Sequence, residues 1–249
     1  MRKNICMHIQ YDGTAYSGWQ RQGNTKNTIE NKISVCLSRI LNSDSLIEIH
    51  GSGRTDAGVH AYCQVANFYT DSDIAPETIM NNLNRYLPED IKIVNAFYED
   101  ERFHSRLSAL SKKYIYKIDN SNKPDVFMRK YCHYISDVLD IEKMKDCAKL
   151  FVGEHDFMSF SDMKKSKKSS VRTIYNIYIK SYDNIITIEY EGNGFLYHMV
   201  RKLSAALIEI GLGKMTNEDI SKILEKKDRH AFKLLAPAKG LMLMSVKYK

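Results

Sequence analysis

The sequence predicts an α+β fold built from two halves that repeat one order of elements. Apolar residues recur in alternating segments, some with the period of two typical of strands and others with the helical period. The resulting order, β-α-β-β-α-β, occurs twice, as in ferredoxin-like or RRM-like halves whose antiparallel sheets are backed by helices. The chain has 249 residues, 43% hydrophobic and 27% charged, which suffices for one large domain or two small ones.

The first half opens on a strand at residues 5–11, where every second residue is apolar. Residues 27–41 have helical apolar spacing, and Asn27 or Thr28 can cap the start. Pro76 suits the first turn of a second helix. The other elements of this half are a short strand at 46–50, a strand at 64–70, the helix at 76–87 and a strand at 91–98.

The second half repeats this order. Gly153 is expected to end its first helix, and Asp183 with Asn184 to join its two central strands. The predicted elements are a strand at 113–119, a helix at 141–152, strands at 173–181 and 184–191, helices at 195–211 and 217–226, and a closing strand at 241–248. We place the boundary near residues 100–110, which gives domains of 1–105 and 106–249. Helices on one face of each sheet leave its other face free, and a cleft between two such halves is a natural place for a ligand.

Composition narrows the class of protein. The formal net charge of +7 fits an anionic partner such as RNA. Five cysteines without a CxxC pair and eight histidines without HExxH spacing predict neither a disulfide framework nor a metal site. No apolar run approaches the length of a membrane span, and the N-terminus turns polar too early for a signal peptide. We therefore expect a cytoplasmic protein without membrane segments.

The stretch "GSGRTDAGVH", residues 51–60, combines three glycines with an acid, a guanidinium and a hydroxyl. The glycines predict a tight loop, because they permit backbone conformations that bulkier residues resist. Asp56 and Arg54 could form an ordinary surface ion pair in a turn. They could equally be functional groups, and the loop by itself does not separate these two interpretations.

Six blocks, in order along nearly the whole chain, carry a resemblance to a known family. They are "YDGTAYSGWQRQ", "GRTDAGVHA", "RFHSRLSALSKKYIY", "GEHDFMSF", "NGFLYHMVRK" and "APAKGLMLMSVKY". The chain resembles the TruA family of tRNA pseudouridine synthases. The resemblance implies the pseudouridine synthase fold, in which two antiparallel sheets flank a central catalytic cleft. It also implies a homodimer that modifies uridines on the 3′ side of the anticodon loop and stem of tRNA (tRNA positions 38–40).

The resemblance implies that Asp56 is the catalytic aspartate. Pseudouridine forms when the C1′–N1 bond breaks, the base rotates and C1′ joins C5. Positive character develops on the sugar, as in glycoside cleavage. A carboxylate near C1′ can stabilise that charge, attack the carbon, or remove a proton from C2′ to give a glycal. The sequence leaves these three routes open. No redox change occurs and no external group is added, so no cofactor is expected.

Three further residues are implied as substrate-binding groups. Tyr114 matches the tyrosine that stacks on the target base, which must leave its own stack to be reached. A core tyrosine is the alternative, and Tyr116, on the same strand face, serves as the internal comparison. Arg201 is implied as a second cation, although a surface arginine on a helix is the ordinary interpretation. Arg54 could lower the pKa of Asp56, grip a phosphate, or fill the gap left by the target base.

A lysine-rich stretch at residues 164–172 predicts a surface loop. In an RNA-binding protein its side chains are expected to contact phosphates, although a charge run is most often a solvated loop. The lysines assigned to this role are Lys164, Lys165, Lys167 and Lys168.

Five positions depart from the family pattern without removing a catalytic group. They are Cys63, Ser105, Lys112, Lys113 and Ala205. These departures leave the exact target uridine open. A synthase for another RNA site, a non-catalytic RNA-binding module and a nucleoside hydrolase are the alternative functions, and the second is weakened because the aromatic pattern of RNA-binding RRM sheets is absent.

Overall fold

The computed structural model describes residues 2–164 and 169–249. The chain divides into two compact units, Met1–Leu110 with Met242–Lys249, and Ser111–Leu241. These units differ from the proposed domains 1–105 and 106–249, because the C-terminal strand lies in the first unit. That strand pairs with a strand near residue 60, a long-range contact that no local pattern in the sequence encodes.

The first unit contains a sheet in the order β4-β1-β3-β10. Strand β1 (Lys3–Tyr11) lies antiparallel between β3 (His60–Thr70) and β4 (Ile91–Glu99). Strand β10 (Leu241–Lys247) pairs in parallel with β3, which also pairs with the short β2 (His50–Gly51). The alternate apolar residues of β1 are buried, as their spacing predicts. Of the strand expected at 46–50, only His50 lies in a strand, as the first residue of β2.

In the described part of the first unit, two α-helices accompany the sheet. Helix α1 (Ile29–Ile40) is capped by Thr28, whose side chain accepts from the backbone N–H of Asn31. Helix α2 (Pro76–Tyr86) begins with proline in its first turn and packs against β4 and α1. Both helices confirm the prediction from apolar spacing.

The second unit has an antiparallel sheet in the order β5-β9-β8-β7. Its long strands are β5 (Ser111–Asp119), β8 (Val171–Tyr182) and β9 (Ile185–Gly192). The short strands β6 (His133–Tyr134) and β7 (Gly153–Asp156) lie at its sides and were not predicted. They are too short to give a readable alternation of apolar and polar residues.

The hairpin between β8 and β9 confirms the predicted connection. Asp183 and Asn184 form its two-residue turn and have φ of 46° and 64°. Both values lie in the left-handed region, which suits a tight hairpin turn and which Asn and Asp tolerate better than most residues.

Among the described residues, the second unit has three α-helices: α3 (Ile141–Ala148), α4 (Met199–Gly211) and α5 (Asn217–Lys226). Helix α5 matches its prediction. Helix α3 ends before the expected residue 152 and continues as a 3₁₀ turn over Lys149–Phe151. Helix α4 begins four residues later than predicted, because His198 adopts φ of 63°, a left-handed conformation that a helix cannot include.

Ser105, one of the departures from the family pattern, lies in a buried polar network of the first unit. Its backbone N–H and its hydroxyl both donate to Asn67 Oδ1, at 2.9 and 2.7 Å. Asn67 in turn donates to Asn4 Oδ1 at 2.9 Å. The Ser105 carbonyl accepts from the Tyr248 hydroxyl at 2.7 Å. The hydroxyl of this serine therefore has a structural role, which stabilises the segment that follows β4.

Candidate active site

The loop that carries Asp56 connects β2 to β3 in the first unit and rests on the segment that follows β1. The backbone N–H of Trp19 donates to the Thr55 carbonyl at 3.1 Å, and that of Gly58 donates to the Tyr16 carbonyl at 3.3 Å. The Val59 N–H donates to the carbonyl of Asp56 itself at 3.2 Å and closes a tight turn. The backbone on both sides of Asp56 is thus fixed by hydrogen bonds.

Close approach of backbone to backbone explains the glycines of the neighbouring segment. Gly18 has φ of +92°, and a Cβ there would lie 2.6 Å from the Thr55 carbonyl oxygen. A Cβ at Gly13 would lie 2.0 Å from the Val59 carbonyl oxygen. A side chain at either position would displace the loop. The block "YDGTAYSGWQRQ" therefore supports the acid-bearing loop.

Beneath the loop, side chains complete the support. Trp19 is buried, and a Cβ at Gly51 would lie 2.5 Å from its indole nitrogen. The hydroxyls of Tyr11 and Thr55 lie 2.8 Å apart and share a hydrogen bond. Burial raises the pKa of Tyr11, although its hydrogen bonds to Thr55 and Gln64 oppose the shift. Tyr11 remains a neutral phenol that can donate to the Thr55 hydroxyl.

The two functional candidates of the loop differ in exposure. Asp56 is half-buried, whereas Arg54 is exposed. Arg54 donates through Nε to Gln20 Oε1 at 3.0 Å. The Asp56 carboxylate is therefore partly shielded from solvent, whereas the Arg54 side chain is exposed and bonded to Gln20.

The second unit carries Tyr114, on β5. Tyr114 is paired across the strands with Tyr190, and its ring meets Phe195 edge to face, with centroids 5.3 Å apart. Tyr114 is 7% exposed. Tyr114 is therefore a buried residue whose ring is oriented by the edge-to-face contact with Phe195.

Tyr116, two residues along the same strand, is a core residue. It is fully buried, and its hydroxyl donates to the Pro237 carbonyl at 2.9 Å. A Cβ at Gly240 would lie 2.7 Å from its ring. Burial raises the pKa of Tyr116, against the opposing charge of Arg201. Tyr116 thus occupies a core position, and Tyr114, at 7% exposure, is buried as well.

Arg201 lies in the first turn of α4 and is tied to the chain that precedes β10. Its Nε donates to the Ala236 carbonyl at 2.8 Å, and the Ala236 N–H donates to the Arg201 carbonyl at 3.3 Å. The hydrogen bond at Nε fixes the plane of the guanidinium. Arg201 is half-buried, so it is not the surface arginine that helical position alone suggested.

A charged cluster fixes the start of α4. Asp162 contacts Lys202 Nζ at 2.7 Å and His198 Nδ1 at 2.6 Å through its two carboxylate oxygens. Lys202 is buried and also donates to the Phe232 carbonyl at 2.8 Å. Partial burial opposes ionisation of Asp162, but hydrogen bonds from Lys202 and His198 outweigh it and hold the pKa of this carboxyl below its usual range. The cluster holds His198 in its left-handed conformation, directly before the helix that carries Arg201.

Of the lysine-rich stretch, Lys164 is exposed, two residues after Asp162. Lys165, Lys167 and Lys168 lie outside the described residues. Within residues 2–164 and 169–249, no group of three or more His, Cys, Asp and Glu side chains is arranged to hold a metal ion. In the same part of the chain, no helix is long and apolar enough to cross a membrane.

Sequence reasoning missed the residues that support these groups. The most informative are Gln20, Glu30, Asp162, His198 and Lys202. Four of them lie in or beside the quoted blocks, since Gln20 ends "GWQ" and the pair His198 and Lys202 flanks Arg201 in "HMVRK". Their roles depend on contacts between distant segments, so only their place within the blocks could have signalled them.

Comparison with known proteins places these features in a family. A sequence-family model described as tRNA pseudouridine synthase matches residues 7–106 and 147–249. The chain is 45% identical to "tRNA pseudouridine synthase A 2" of a Bacillus cereus strain, over 98% of this chain and 99% of that protein. It is 44% identical to the protein of the same name from Bacillus anthracis, with the same coverage. Over the full length of both chains it is 42% identical to "tRNA pseudouridine synthase A 2" of Clostridium tetani.

Proposed function

Because the chain belongs to the tRNA pseudouridine synthase family and isomerises uridine to pseudouridine in tRNA, we propose that Asp56 performs this reaction on uridines of the anticodon arm. The observation that carries the proposal is the construction of the Asp56 loop. Backbone hydrogen bonds fix the chain on both sides of the acid, and glycines allow the supporting segment to approach. Such positioning is what a reacting carboxylate requires.

The proposed reaction at Asp56 is an isomerisation, so uridine and pseudouridine contain the same atoms. The C1′–N1 bond of the uridine breaks, C1′ bonds to C5, and the proton that leaves C5 is replaced by one on N1. Asp56, as a carboxylate, meets the positive character at C1′ by charge stabilisation, by attack on C1′, or by removal of the C2′ proton. In each route the acid must be held close to the sugar, which the fixed backbone of the loop supports.

Tyr114 and Arg201 are proposed as substrate-binding residues of the second unit. The edge-to-face contact with Phe195 orients the Tyr114 ring, and stacking on a flipped base recovers part of the energy lost when the base leaves its stack. The Ala236 carbonyl orients the Arg201 guanidinium for a phosphate or a carboxylate. Tyr116 is assigned no part in binding, because it is 0% exposed and its hydroxyl is bonded to the Pro237 carbonyl.

The remaining parts of the proposal concern partners and location. The lysines from Lys164 to Lys168 are proposed to contact the tRNA backbone, and a homodimer is proposed to hold one tRNA. A cytoplasmic location is supported by the five cysteines, all of which are free thiols. Burial raises the pKa of Cys6 and of Cys147 to about 12, so these two thiols stay protonated and unreactive.

The experiment maps pseudouridine by carbodiimide reactivity in tRNA from cells with and without this protein, and in purified tRNA treated with the protein. We expect the protein to create reactive positions in the anticodon loop and stem, on their 3′ side. Reactive positions confined to another arm or another RNA would refute the proposed target. Release of free uracil without new reactive positions would show hydrolysis, and binding without any product would show a non-catalytic module.

A further inference from the structure

A chain of side-chain hydrogen bonds leads from helix α1 to Arg54 in the loop of Asp56. Glu30, in the first turn of α1, accepts through Oε2 from Gln20 Nε2 at 2.5 Å and from the Arg21 N–H at 2.7 Å. Gln20 Oε1 accepts from Arg54 Nε at 3.0 Å. We call this chain the Glu30–Gln20–Arg54 relay. Glu30 is 8% exposed, whereas Arg54 is exposed, so the relay runs from the interior to the surface.

The chemistry of the three groups gives the relay one direction. An ionised carboxylate only accepts hydrogen bonds, and a guanidinium only donates them. The Gln20 amide between them must therefore direct its nitrogen to Glu30 and its oxygen to Arg54. The position of Glu30 suits a carboxylate, because the first turn of a helix favours negative charge. The backbone N–H of Glu30 donates to the Trp19 carbonyl at 3.0 Å, which ties the acid to the segment beneath the loop.

The relay also determines which edge of the guanidinium is presented. A guanidinium can grip a phosphate through two nitrogens, either Nε with one Nη or the two Nη groups together. Because Nε donates to Gln20, the edge formed by the two Nη groups is the one left for a ligand. An arginine without this constraint would sample several orientations and lose side-chain entropy on binding.

We propose that Glu30 and Gln20 are positioning residues that hold Arg54 in the orientation in which it binds a tRNA phosphate next to the uridine treated by Asp56. This inference rests on the proposed function. The competing explanation is structural: Glu30 stabilises the start of α1 and the Arg21 backbone, and the contact to Arg54 is incidental. The two explanations differ in one respect. If Glu30 and Gln20 position Arg54, their replacement affects function only when Arg54 is present, whereas a structural role is independent of Arg54.

A double-mutant cycle tests this difference. The variants are Arg54→Ala, Gln20→Ala and Glu30→Ala, each of the last two also combined with Arg54→Ala. Two quantities are measured, the tRNA dissociation constant and the single-turnover rate of pseudouridine formation at saturating protein. We expect Arg54→Ala to weaken binding or slow turnover by about tenfold or more. Gln20→Ala and Glu30→Ala should each cost several-fold in the parent and nothing further beside Arg54→Ala.

The control is Glu30→Gln, which keeps an oxygen acceptor for the Gln20 amide and the Arg21 N–H. It should stay within about threefold of the parent in both measurements. Thermal melting of each variant separates loss of folded protein from loss of function. Should Glu30→Ala fold poorly, Gln20→Ala still decides the matter, because it removes the acceptor of Arg54 and leaves the carboxylate in α1 intact.

Losses that add fully in the Arg54→Ala background would overturn the inference and establish a structural role for Glu30 and Gln20. An Arg54→Ala protein equal to the parent in both measurements would also overturn it, since an arginine without effect needs no positioning. Failure of the proposed function looks different: the parent itself would form no pseudouridine in the anticodon arm. The dissociation constants measured in the cycle would still decide whether the relay positions Arg54 for RNA.

Discussion

The two regions that carry the candidate residues are held in place by different means. The Asp56 loop is fixed by backbone hydrogen bonds to residues 16–19 and by glycines that allow direct contact of two chain segments. In the second unit, the region of Tyr114 and Arg201 is fixed by side chains. The Tyr116 hydroxyl donates to a backbone carbonyl, Phe195 meets Tyr114 edge to face, and a charged cluster precedes α4.

This difference predicts different sensitivities to mutation. Apart from its functional groups and the buried hydrogen bond between Thr55 and Tyr11, the loop should tolerate side-chain truncation, but it should not tolerate an added methyl group where two backbones touch. The second region should respond to removal of side chains, because these side chains supply its contacts. The following predictions test this contrast, beginning with the largest expected effect on chemistry and ending with the smallest.

Removal of the Asp56 charge should abolish chemistry without abolishing binding. Asp56→Asn keeps the size of the side chain and leaves the backbone hydrogen bonds of the loop unchanged. We expect single-turnover formation of pseudouridine to fall by at least about a thousandfold, while the dissociation constant for tRNA stays within a few-fold of the parent. Turnover within about tenfold of the parent, after deamidation of the new amide is excluded by mass spectrometry, would disprove the assignment of Asp56.

An added methyl group at Gly18 should damage the loop. Its positive φ and the 2.6 Å approach to the Thr55 carbonyl oxygen leave no room for a Cβ. We expect Gly18→Ala to lower the free energy of unfolding by about 1–3 kcal/mol and turnover of the folded protein by about tenfold or more.

The matched control for this change is Gly23→Ala, since a Cβ at Gly23 would meet nothing within 4 Å. Its unfolding midpoint and turnover should equal those of the parent. If both variants behave alike, close backbone contact does not hold the Asp56 loop.

Truncation of the two strand tyrosines should affect activity and stability to different degrees. Tyr114→Ala is expected to lower activity about tenfold to a hundredfold through loss of base stacking. Tyr116→Ala should mainly destabilise, by about 3–5 kcal/mol, because it opens a cavity in the core, and it should retain more activity per folded molecule. Chemical denaturation and single-turnover assays measure the two effects.

Tyr116→Phe provides the gentler control. It keeps the ring and removes only the hydrogen bond to the Pro237 carbonyl, at a cost of about 1 kcal/mol. A larger loss of activity in folded Tyr116→Ala than in folded Tyr114→Ala would show that the stacking role had been assigned to the wrong tyrosine.

The charged cluster before α4 should make stability depend on pH. The folded-state pKa of Asp162 lies below its unfolded value of about 3.9. Its stabilising contribution is therefore complete above that value and is lost as the pH falls through the lower, folded-state pKa. Asp162→Asn should destabilise the protein at pH 7 by about 1–2 kcal/mol, a modest effect because solvent screens a side chain that is 39% exposed.

The measurement is urea denaturation of both proteins between neutral pH and pH 3. The gap in the free energy of unfolding between parent and Asp162→Asn should narrow as the pH falls below about 4. A gap that is independent of pH would show that the charge of Asp162 contributes nothing, and that packing alone explains the loss.

Replacement of the four lysines at 164, 165, 167 and 168 by serine should affect chemistry least. Each phosphate contact adds about 0.9 to the slope of log affinity against log salt, so the slope should flatten by roughly 1 to 4. Single-turnover rates at saturating protein should change little. The control is serine replacement of three lysines in α3 and the 3₁₀ turn that follows it, each paired with an acid three residues earlier, and it should leave the slope unchanged; these are Lys143, Lys145 and Lys149.

An unchanged slope in the fourfold variant would show that these lysines are merely solvated. A collapsed single-turnover rate with an intact slope would instead give them a part in positioning the uridine. Either result would contradict the proposal that the lysines bind the tRNA backbone while the Asp56 loop carries out the chemistry.

Local pattern was sufficient for most elements of the fold. Alternation and helical spacing predicted β1, α1, α2 and α5 closely, since burial of one face is a property of neighbouring residues. Pattern failed at the start of α4, where Phe195 and Leu196 continue the apolar spacing but His198 leaves the helical conformation. The reason is a contact with Asp162, 36 residues earlier, that overrides local preference.

By itself, the sequence determined the α+β class, because this depends on the spacing of apolar residues. Its six ordered blocks determined the family resemblance, and Asp56, Tyr114 and Arg201 became candidates through that resemblance, with Arg54 beside Asp56 in the same block. Tertiary structure alone decided how they are held. It bonded the Tyr116 hydroxyl to the Pro237 carbonyl and set Tyr114 against Phe195, placed the C-terminal strand beside β3, and linked Glu30 through Gln20 to Arg54. Each of these depends on contact between segments distant in the chain, and local periodicity carries no information about which distant segments meet.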